Sequence, residues 1–133
     1  MKIYNEQTLM TFLRSPESNF PRRIDGFEIA INGFFSGKCI GYADLCIRKS
    51  QVSYYVEIKL NKNIDSGDIW GAIKILGYVA AEKMITPYRN IKSCIMVRKE
   101  IVTNDFIAIL GSLGISYITV DLRGGLPQFE CFL

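Results

Sequence analysis

Three residues in the first half of the chain have the types and the spacing of a hydrolytic site. Glu57 and Lys59 stand two residues apart in an otherwise apolar segment, and side chains at that spacing share one face of a β-strand. Asp44 is the lone acid of an apolar run that precedes a short turn. Because strands joined by a short turn pair directly, Asp44 should lie close to Glu57. Two carboxylates and an ammonium group would then share a small area of one sheet.

This grouping is suited to a hard divalent cation. The two acids repel each other, and Lys59 alone does not neutralise them. Carboxylates that leave water positions open commonly hold Mg²⁺ beside a phosphate, where the ion lowers the pKa of bound water. The pattern therefore predicts phosphodiester hydrolysis, with Lys59 orienting the water or offsetting developing charge. A solvated strand face or a cross-strand ion pair is the alternative, because an acid–x–lysine triplet arises by chance about once in a chain of this size.

The composition narrows the chemistry, because the 133 residues include no histidine. Histidine-dependent triads, histidine-ligated zinc or iron and histidine-dependent nucleases are excluded, and an RNA-splicing endonuclease is disfavoured for the same reason. Oxygen ligands favour Mg²⁺ or Mn²⁺, and no organic cofactor is implied. Four cysteines without a CxxC spacing lie in or beside apolar runs, which is typical of free buried thiols in an intracellular protein. They are Cys39, Cys46, Cys94 and Cys131.

Length and hydropathy predict one domain over residues 1–133, because 49% of the residues are apolar and suffice for a real core. The first residues contain no long apolar stretch of the kind found in signal peptides. The longest apolar stretches are shorter than a membrane span. We therefore expect a soluble cytoplasmic protein with no membrane contact.

The elements that must position the three residues can be predicted from periodicity and caps. They follow the order α-β-β-β-α-β-α-β: helix 6–14, strands 27–34, 39–47 and 53–60, helix 68–84, strand 91–97, helix 105–113 and strand 115–121. The helix at 68–84 is apolar nearly all round, so it should be largely buried. The strands at 53–60, 91–97 and 115–121 are candidates for parallel neighbours. This order predicts an α/β fold with a mixed central sheet flanked by helices.

The motif residues together resemble the PD-(D/E)xK nuclease superfamily, which has a restriction-endonuclease-like fold. The resemblance is carried by Gly41-Tyr42-Ala43-Asp44, a short turn and Val56-Glu57-Ile58-Lys59. The element order is similar to that family's αβββαβ core with an added αβ, and the match covers about residues 5 to 121. The resemblance implies a catalytic Lys59 beside a metal held by Asp44, Glu57 and Ile58. Alanine stands here at position 43, where the family often has proline.

The resemblance also points to residues outside the motif. Many members have a further catalytic acid on the first helix, for which Glu6 is the candidate and Glu28 the rival, and the spacing does not decide between them. One branch has a Gln-x-x-x-Tyr pattern on the next helix, where Lys74 and Tyr78 have that spacing here. This pair could contact a phosphate, or be a packed tyrosine beside a lysine that reaches solvent. The cysteine positions do not favour the iron–sulfur cluster of that branch.

Basic residues are unevenly distributed, although the net charge is only +3. Residues 83–99 contain no acid and five basic residues, namely Lys83, Arg89, Lys92, Arg98 and Lys99. Basic loops around a carboxylate site suit a DNA backbone, whereas solubilising surface charge is the alternative for any single residue. The residues predicted to contact DNA are Arg22, Arg23, Lys62, Lys74 and Tyr78.

Apolar residues near the end of the chain and on the long helix favour a homodimer. The tail Phe129–Leu133 and the helix that carries Trp70 and Tyr78 are apolar enough that a second copy of the chain could bury them. Ordinary packing within one domain is the alternative. The size and element order are most similar to small Holliday-junction resolvases of archaea and their viruses. The sequence therefore predicts a Mg²⁺-dependent DNA endonuclease, structure-specific in the manner of a junction resolvase. The alternative is a catalytically inert nuclease fold that binds DNA or protein.

Overall fold

One mixed six-stranded sheet carries the site. The computed structural model describes residues 2–62 and 66–133, except for the side chains of residues 66–68. Its elements are α1 (Glu6–Arg14), β1 (Arg23–Asn32), β2 (Cys39–Lys49), β3 (Val52–Lys59), α2 (Ser66–Ile85), β4 (Ile91–Arg98), a 3₁₀ turn (Lys99–Ile101), α3 (Asn104–Leu113), β5 (Ser116–Asp121) and β6 (Gln128–Phe132). The strands lie in the sheet in sequence order.

The strand directions confirm the predicted mixed α/β sheet. β1, β2 and β3 pair antiparallel, whereas β3, β4 and β5 are parallel neighbours. The two parallel pairs are joined through α2 and α3, as parallel connections require. The tail forms a sixth strand, β6, that pairs antiparallel with β5 and was not among the predicted strands.

Local capping explains where the short helices begin and end. At the start of α1, Asn5 Oδ1 accepts a hydrogen bond from the Thr8 amide at 2.8 Å, while Thr8 Oγ1 accepts one from the Asn5 amide at 3.2 Å. This reciprocal capping satisfies two amides that the helix leaves without partners. Thr103 Oγ1 caps α3 by accepting a hydrogen bond from the Phe106 amide at 3.1 Å, and Gly114 ends the helix with a left-handed φ of 68°.

Apolar residues cover both faces of the sheet. Alternate positions of β3, such as Val56 and Ile58, pack with α1 on one face. The intervening Tyr55 packs beneath α2 on the other face, and a further cluster lies beneath α3. Side chains of one strand point to opposite faces in turn, so Glu57 lies on the α2 side. The site is therefore built between the sheet and α2.

The prediction that the long helix is largely buried is wrong. One face of α2 packs on the sheet through Ala72, Ile75 and Val79, whereas Trp70 and Ile73 are exposed. Because α2 is apolar nearly all round, its sequence does not indicate which face packs inward. Across the described ranges, no helix has both the length and the apolar character that would be needed to span a membrane.

β1 and β2 change faces beside the candidate site. Leu45 packs in the core beneath α1, whereas Ala43, two residues earlier, packs in the core beneath α2. Residues two apart on a regular strand share a face, so the alternation reverses at Asp44. On the neighbouring strand, Glu28 has a left-handed φ of 48°, which is a strained conformation for a residue with a side chain. Asp44 thus lies at an irregular point of the sheet.

Candidate functional site

Asp44 and Glu57 lie next to each other where β2 and β3 separate. The paired register of the two strands ends at Leu45 and Val56, and these acids are the next residues along. Beyond this point the Ile58 amide donates to Asp44 Oδ2 at 2.7 Å. A side-chain carboxylate therefore accepts the bond that a regular ladder would give to a backbone carbonyl. The strands open at the two carboxylates, and Asp44 lies close to Glu57 as the short turn predicts.

Glu57 is a buried carboxylate that the protein satisfies on one side only. The residue is 4% exposed, and Glu57 Oε1 accepts a hydrogen bond from Lys74 Nζ at 3.3 Å. Glu57 Oε2 is buried and has no hydrogen-bond partner among the described residues. An unsatisfied buried oxygen on a charged group is costly, and a bound cation would satisfy it.

Lys59 reaches the site because α2 has a glycine opposite it. A β-carbon at Gly71 would lie 2.9 Å from Lys59 Cε and 3.1 Å from Lys59 Cγ, so a larger residue would displace the lysine stem. Sequence reasoning missed Gly71. A glycine inside a helix costs about 1 kcal/mol of stability relative to alanine. Its presence in the helix was therefore the available sign that a neighbouring side chain packs closely there.

Lys74 and Tyr78 contact the site from the next turns of α2. Lys74 Nζ lies 5.7 Å from the centre of the Tyr78 ring, and the Tyr78 hydroxyl lies over Gly41, where a β-carbon would overlap it. Tyr78 is thus packed against β2, while Lys74 reaches Glu57. Lys74 therefore adds a second ammonium group beside the two acids, in addition to Lys59.

Burial and mutual repulsion disfavour the charged forms of both acids. Burial raises the pKa of Asp44, although the Ile58 amide and the two lysines act in the opposite direction. Burial is also the main cause of the raised pKa of Glu57, and the charge of Asp44 adds to it. For Lys74, burial opposes the charged form, but the Glu57 carboxylate outweighs it and the pKa of Lys74 is raised. A divalent cation would favour ionised carboxylates.

The two candidates for a further acid occupy different positions around Asp44. Glu6 Oε1 accepts a hydrogen bond from the Leu60 amide at 3.2 Å, just beyond Lys59. Glu28 pairs with Arg14 at 3.2 Å and lines an open pocket of about 380 Å³ with Tyr42 and Asp44. Glu6 is therefore tied to the motif strand, and Glu28 is tied to α1.

Arg98 also holds Leu60, a role that the sequence did not indicate. Its buried side chain donates from Nε to the Leu60 carbonyl at 2.8 Å, while Glu6 accepts from the Leu60 amide. A buried arginine needs acceptors, which the end of β3 provides. The backbone that follows Lys59 is therefore held by both charged side chains.

Two of the basic residues predicted to contact DNA lie away from the acids. Arg23 pairs in register with Arg48, four residues along β2 from Asp44, or about 13 Å at the rise of a strand. Arg23 also forms an ion pair with Asp25 at 2.7 Å, and Arg22 is at the same end of the sheet. Lys62 is exposed and follows the motif strand directly. The structure brings Lys74 and Tyr78 to the acids, but not the Arg22–Arg23 pair.

The basic stretch at 83–99 is partly neutralised by acids outside it. Arg89 pairs with Glu82 at 3.4 Å, and Lys99 pairs with Glu130 at 3.3 Å. Arg98 is buried and donates to the Leu60 carbonyl. Lys83 and Lys92 line a groove of about 610 Å³ between α2 and the start of β4. The count of charges within residues 83–99 leaves out both acids, since Glu82 directly precedes the stretch and Glu130 lies on β6.

The four thiols are free, but one of them is not buried as predicted. Cys46 and Cys94 are buried, and Cys131 is partly buried. Cys39 is exposed because the hairpin of β1 and β2 extends beyond the third strand, so apolar neighbours along the chain do not cover it.

The two acids could hold a metal as an open site. Within residues 2–62 and 66–133, no group of three or more histidine, cysteine, aspartate or glutamate side chains is placed to hold one. Mg²⁺ usually keeps several waters and is bound through one or two carboxylates together with substrate phosphate. Asp44, Glu57 and its unsatisfied oxygen fit that kind of site.

Comparisons of the chain with protein-family models, with curated proteins and with solved structures find no match. The resemblance to PD-(D/E)xK nucleases accordingly rests on three motif residues, Asp44, Glu57 and Lys59, together with the order of the elements. The function must be argued from the geometry and electrostatics of these residues.

Proposed function

We propose that this protein is a metal-dependent DNA endonuclease with a restriction-endonuclease-like αβββαβ core. The observation that carries the proposal is the buried Oε2 of Glu57, which has no hydrogen-bond partner in the part of the chain that the structure describes and lies beside the Asp44 carboxylate. The sequential order of α1, β1–β3, α2 and β4, with β4 parallel to β3, agrees with that core. Two repelling acids at an opening between strands are costly for stability, and binding a cation would offset that cost.

The residues divide the chemistry between them. Bound Mg²⁺ or Mn²⁺ would polarise a phosphodiester oxygen and supply a water of lowered pKa. Asp44 and Glu57 would hold the ion, with the backbone of Ile58 beside them. Lys59, held in place against Gly71, would orient the attacking water or offset charge that develops in the transition state. Glu6 and Arg98 keep the end of the motif strand in position.

DNA is the proposed partner because the site has basic and open surroundings. Lys74 lies beside the acids, and the exposed Lys62 follows the motif strand; both can contact phosphates, which dominate affinity for nucleic acid. The chain has no helix-turn-helix pattern and no zinc motif. We therefore propose recognition of DNA structure rather than base sequence, as in junction resolvases.

One observation favours a second candidate, an inert nuclease fold that binds DNA or protein. The Lys74–Glu57 ion pair, with Lys59 nearby, balances the two carboxylates without any metal. In such a protein Glu57 would be a structural ion-pair partner, and divalent cations would stabilise the fold little. The two candidates therefore differ in their response to metal and in cleavage.

Lys59→Met is expected to lower Mg²⁺-dependent cleavage about 100-fold, because the variant keeps the apolar stem and removes the ammonium group. Lys83→Met is the matched control, since Lys83 is an exposed lysine in the last turn of α2, and its rate should stay within about threefold of wild type. Both variants should keep the stabilisation that metal gives. The measurement compares linear, single-stranded, flapped and four-way-junction DNA in Mg²⁺ and in EDTA.

Three results would contradict the proposal. They are cleavage in EDTA, equal loss in the two lysine variants and no cleavage of any substrate by wild type in Mg²⁺ or Mn²⁺. Equal cleavage of every substrate would remove the resolvase-like specificity and leave the nuclease. An absence of cleavage by wild type would favour the inert fold.

We further propose a homodimer formed through α2. The tail supports a dimer less than expected, because its rings pack within the same chain. The ring centres of Phe129 and Phe20 are 5.0 Å apart, and Phe132 stacks on Tyr117 with ring centres 4.6 Å apart. Trp70 and Ile73 remain exposed on α2. Exposed apolar residues along one helix are typical of a surface between copies of a chain.

Ile73→Glu is expected to convert a dimer to the 15.1 kDa monomer, because it would bury a charge in an apolar interface. Ile109→Glu on α3 is the matched control, since Ile73 is 42% and Ile109 is 41% exposed. Light scattering on the eluting protein measures the mass. A monomeric wild type, or equal effects of the two substitutions, would contradict the α2 interface.

A further inference from the structure

The hairpin of β1 and β2 extends past the third strand as an arm, defined here as residues 29–43. Within the arm the strands pair only with each other, from Ile29–Ala43 to Asn32–Cys39, because β3 pairs with β2 only as far as Leu45. The tip is a hydrogen-bonded turn in which Gly33 donates to the Lys38 carbonyl at 2.9 Å. Its end is therefore a defined structure that projects beyond the acids.

The arm presents aromatic side chains at its tip. Phe35 is 92% exposed, and its ring meets that of Phe34 edge to face at 5.2 Å. One further exposed aromatic residue, Tyr42 on β2, lines the pocket beside Asp44. The contact between the rings orients Phe35 while leaving it open to solvent. A hairpin turn does not require an exposed phenyl ring, so the exposed rings at the tip indicate a binding surface.

The charge of the arm indicates which partner fits it. Between Glu28 and Asp44 there is no acidic residue, and Lys38 stands beside the aromatic tip. Aromatic rings stack on bases of any sequence, and an ammonium group attracts phosphates, so the combination suits nucleic acid with accessible bases. In a fully paired duplex the base faces are covered by their neighbours. The tip therefore fits DNA that contains unpaired bases.

The arm also sets a distance to the site. Lys38 directly precedes β2 and stands six positions before Asp44, which is about 20 Å at the rise of a strand. A nucleic-acid strand advances about 3.4 Å per nucleotide, so this distance corresponds to about six stacked nucleotides. One strand of DNA could contact both the acids and the tip.

We propose that Phe35 stacks on an unpaired base about six nucleotides from the phosphodiester at Asp44 and Glu57. The arm thereby selects DNA with an unpaired or branched segment over continuous duplex. This inference deepens the proposed function and rests on it for the position of the bond that is cut. The stacking itself requires only that the protein binds DNA.

The test measures binding in EDTA, so that cleavage plays no part. Fluorescence anisotropy compares a duplex carrying a single-stranded flap with a fully paired duplex of the same length. Wild type should bind the flapped DNA more tightly, and Phe35→Ala should weaken that binding about tenfold while changing duplex binding little. Phe35→Trp should restore it, because tryptophan also stacks.

Tyr88→Ala is the matched control, because Tyr88 is 84% exposed in the loop after α2 and belongs to another surface. Its binding should stay within about twofold of wild type. The arm proposal is overturned by equal losses on flapped and paired DNA, by an unchanged Phe35→Ala, or by a change of oligomeric mass in that variant.

The same variants separate this proposal from the nuclease proposal. If the protein cleaves DNA with metal but Phe35→Ala leaves flap binding unchanged, the arm proposal is overturned and the nuclease proposal stands. If Phe35→Ala weakens flap binding but wild type cleaves no DNA, the arm proposal stands and the nuclease proposal is overturned. Melting curves of Phe35→Ala should match wild type, because the tip ring contributes little burial.

Discussion

Glu57→Gln and Asp44→Asn are each expected to lower Mg²⁺-dependent DNA cleavage about 1,000-fold while the fold stays intact. Both variants keep the side-chain shape and remove one of the two carboxylates that flank the opening between β2 and β3. Charge stabilisation by a bound metal contributes several kcal/mol to a transition state, and each 1.4 kcal/mol changes a rate tenfold. Single-turnover cleavage of the best DNA substrate measures the effect.

Three further acids serve as comparisons in the same experiment. Glu130→Gln alters an exposed acid paired with Lys99 on β6, and its rate should stay within about twofold of wild type. Glu6→Gln keeps an acceptor for the Leu60 amide but removes the charge, so its comparison with Glu28→Gln decides which acid assists. Full activity of Glu57→Gln would contradict the proposed site.

The second large effect concerns stability without metal. Glu57→Gln is expected to raise the melting temperature in EDTA at pH 7 by about 4 °C, because it replaces a buried, half-satisfied carboxylate with a neutral group. Loss of the ion pair with Lys74 subtracts little, since the lysine side chain is about half exposed. Thermal unfolding of the metal-free protein measures the shift.

The pH dependence follows from the direction of the pKa shifts. Burial raises the pKa of Glu57 above its ordinary value of 4.5, so the folded protein binds more protons than the unfolded chain just above that pH. Stability should therefore fall as the pH rises from about 4.5 through the raised pKa. In Glu57→Gln the fall should be smaller, leaving the part due to Asp44, whose pKa burial also raises.

Melting curves between pH 4 and 8 test this sign. Glu130→Gln, an exposed acid, should follow wild type across the range. The prediction fails if stability rises with pH equally in wild type and in Glu57→Gln. That result would mean that the folded protein does not disfavour the charged form of Glu57.

Much of the framework could be predicted because local rules govern it. Asn5 and Thr103 cap their helices through neighbouring amides, and alternation along β3 separates Glu57 from Val56. The short turn after β2 brings Asp44 to Glu57, since consecutive strands with a short connection pair directly. These predictions depend on residues close together in sequence or on one antiparallel pairing.

The parts that could not be predicted depend on contacts between distant residues. The uniformly apolar sequence of α2 concealed that Trp70 faces outward and that Lys74 reaches Glu57. The change of faces at Asp44 is accompanied by a left-handed Glu28 on the neighbouring strand, and no residue type there signals it. Arg98 meets the Leu60 carbonyl from 38 residues away. Such contacts follow from the packing of the whole sheet.

The most direct test of the central claim is a calorimetric titration of the protein with Mn²⁺ in the absence of DNA. We expect saturable binding of Mn²⁺ to wild type, and binding that is weaker by at least about tenfold in Glu57→Gln and Asp44→Asn. We also expect tighter binding in Lys74→Met, because that variant removes the ammonium group that competes for Glu57. An absence of binding to wild type, or binding that Glu57→Gln leaves unchanged, would contradict the claim that these two carboxylates form a metal site.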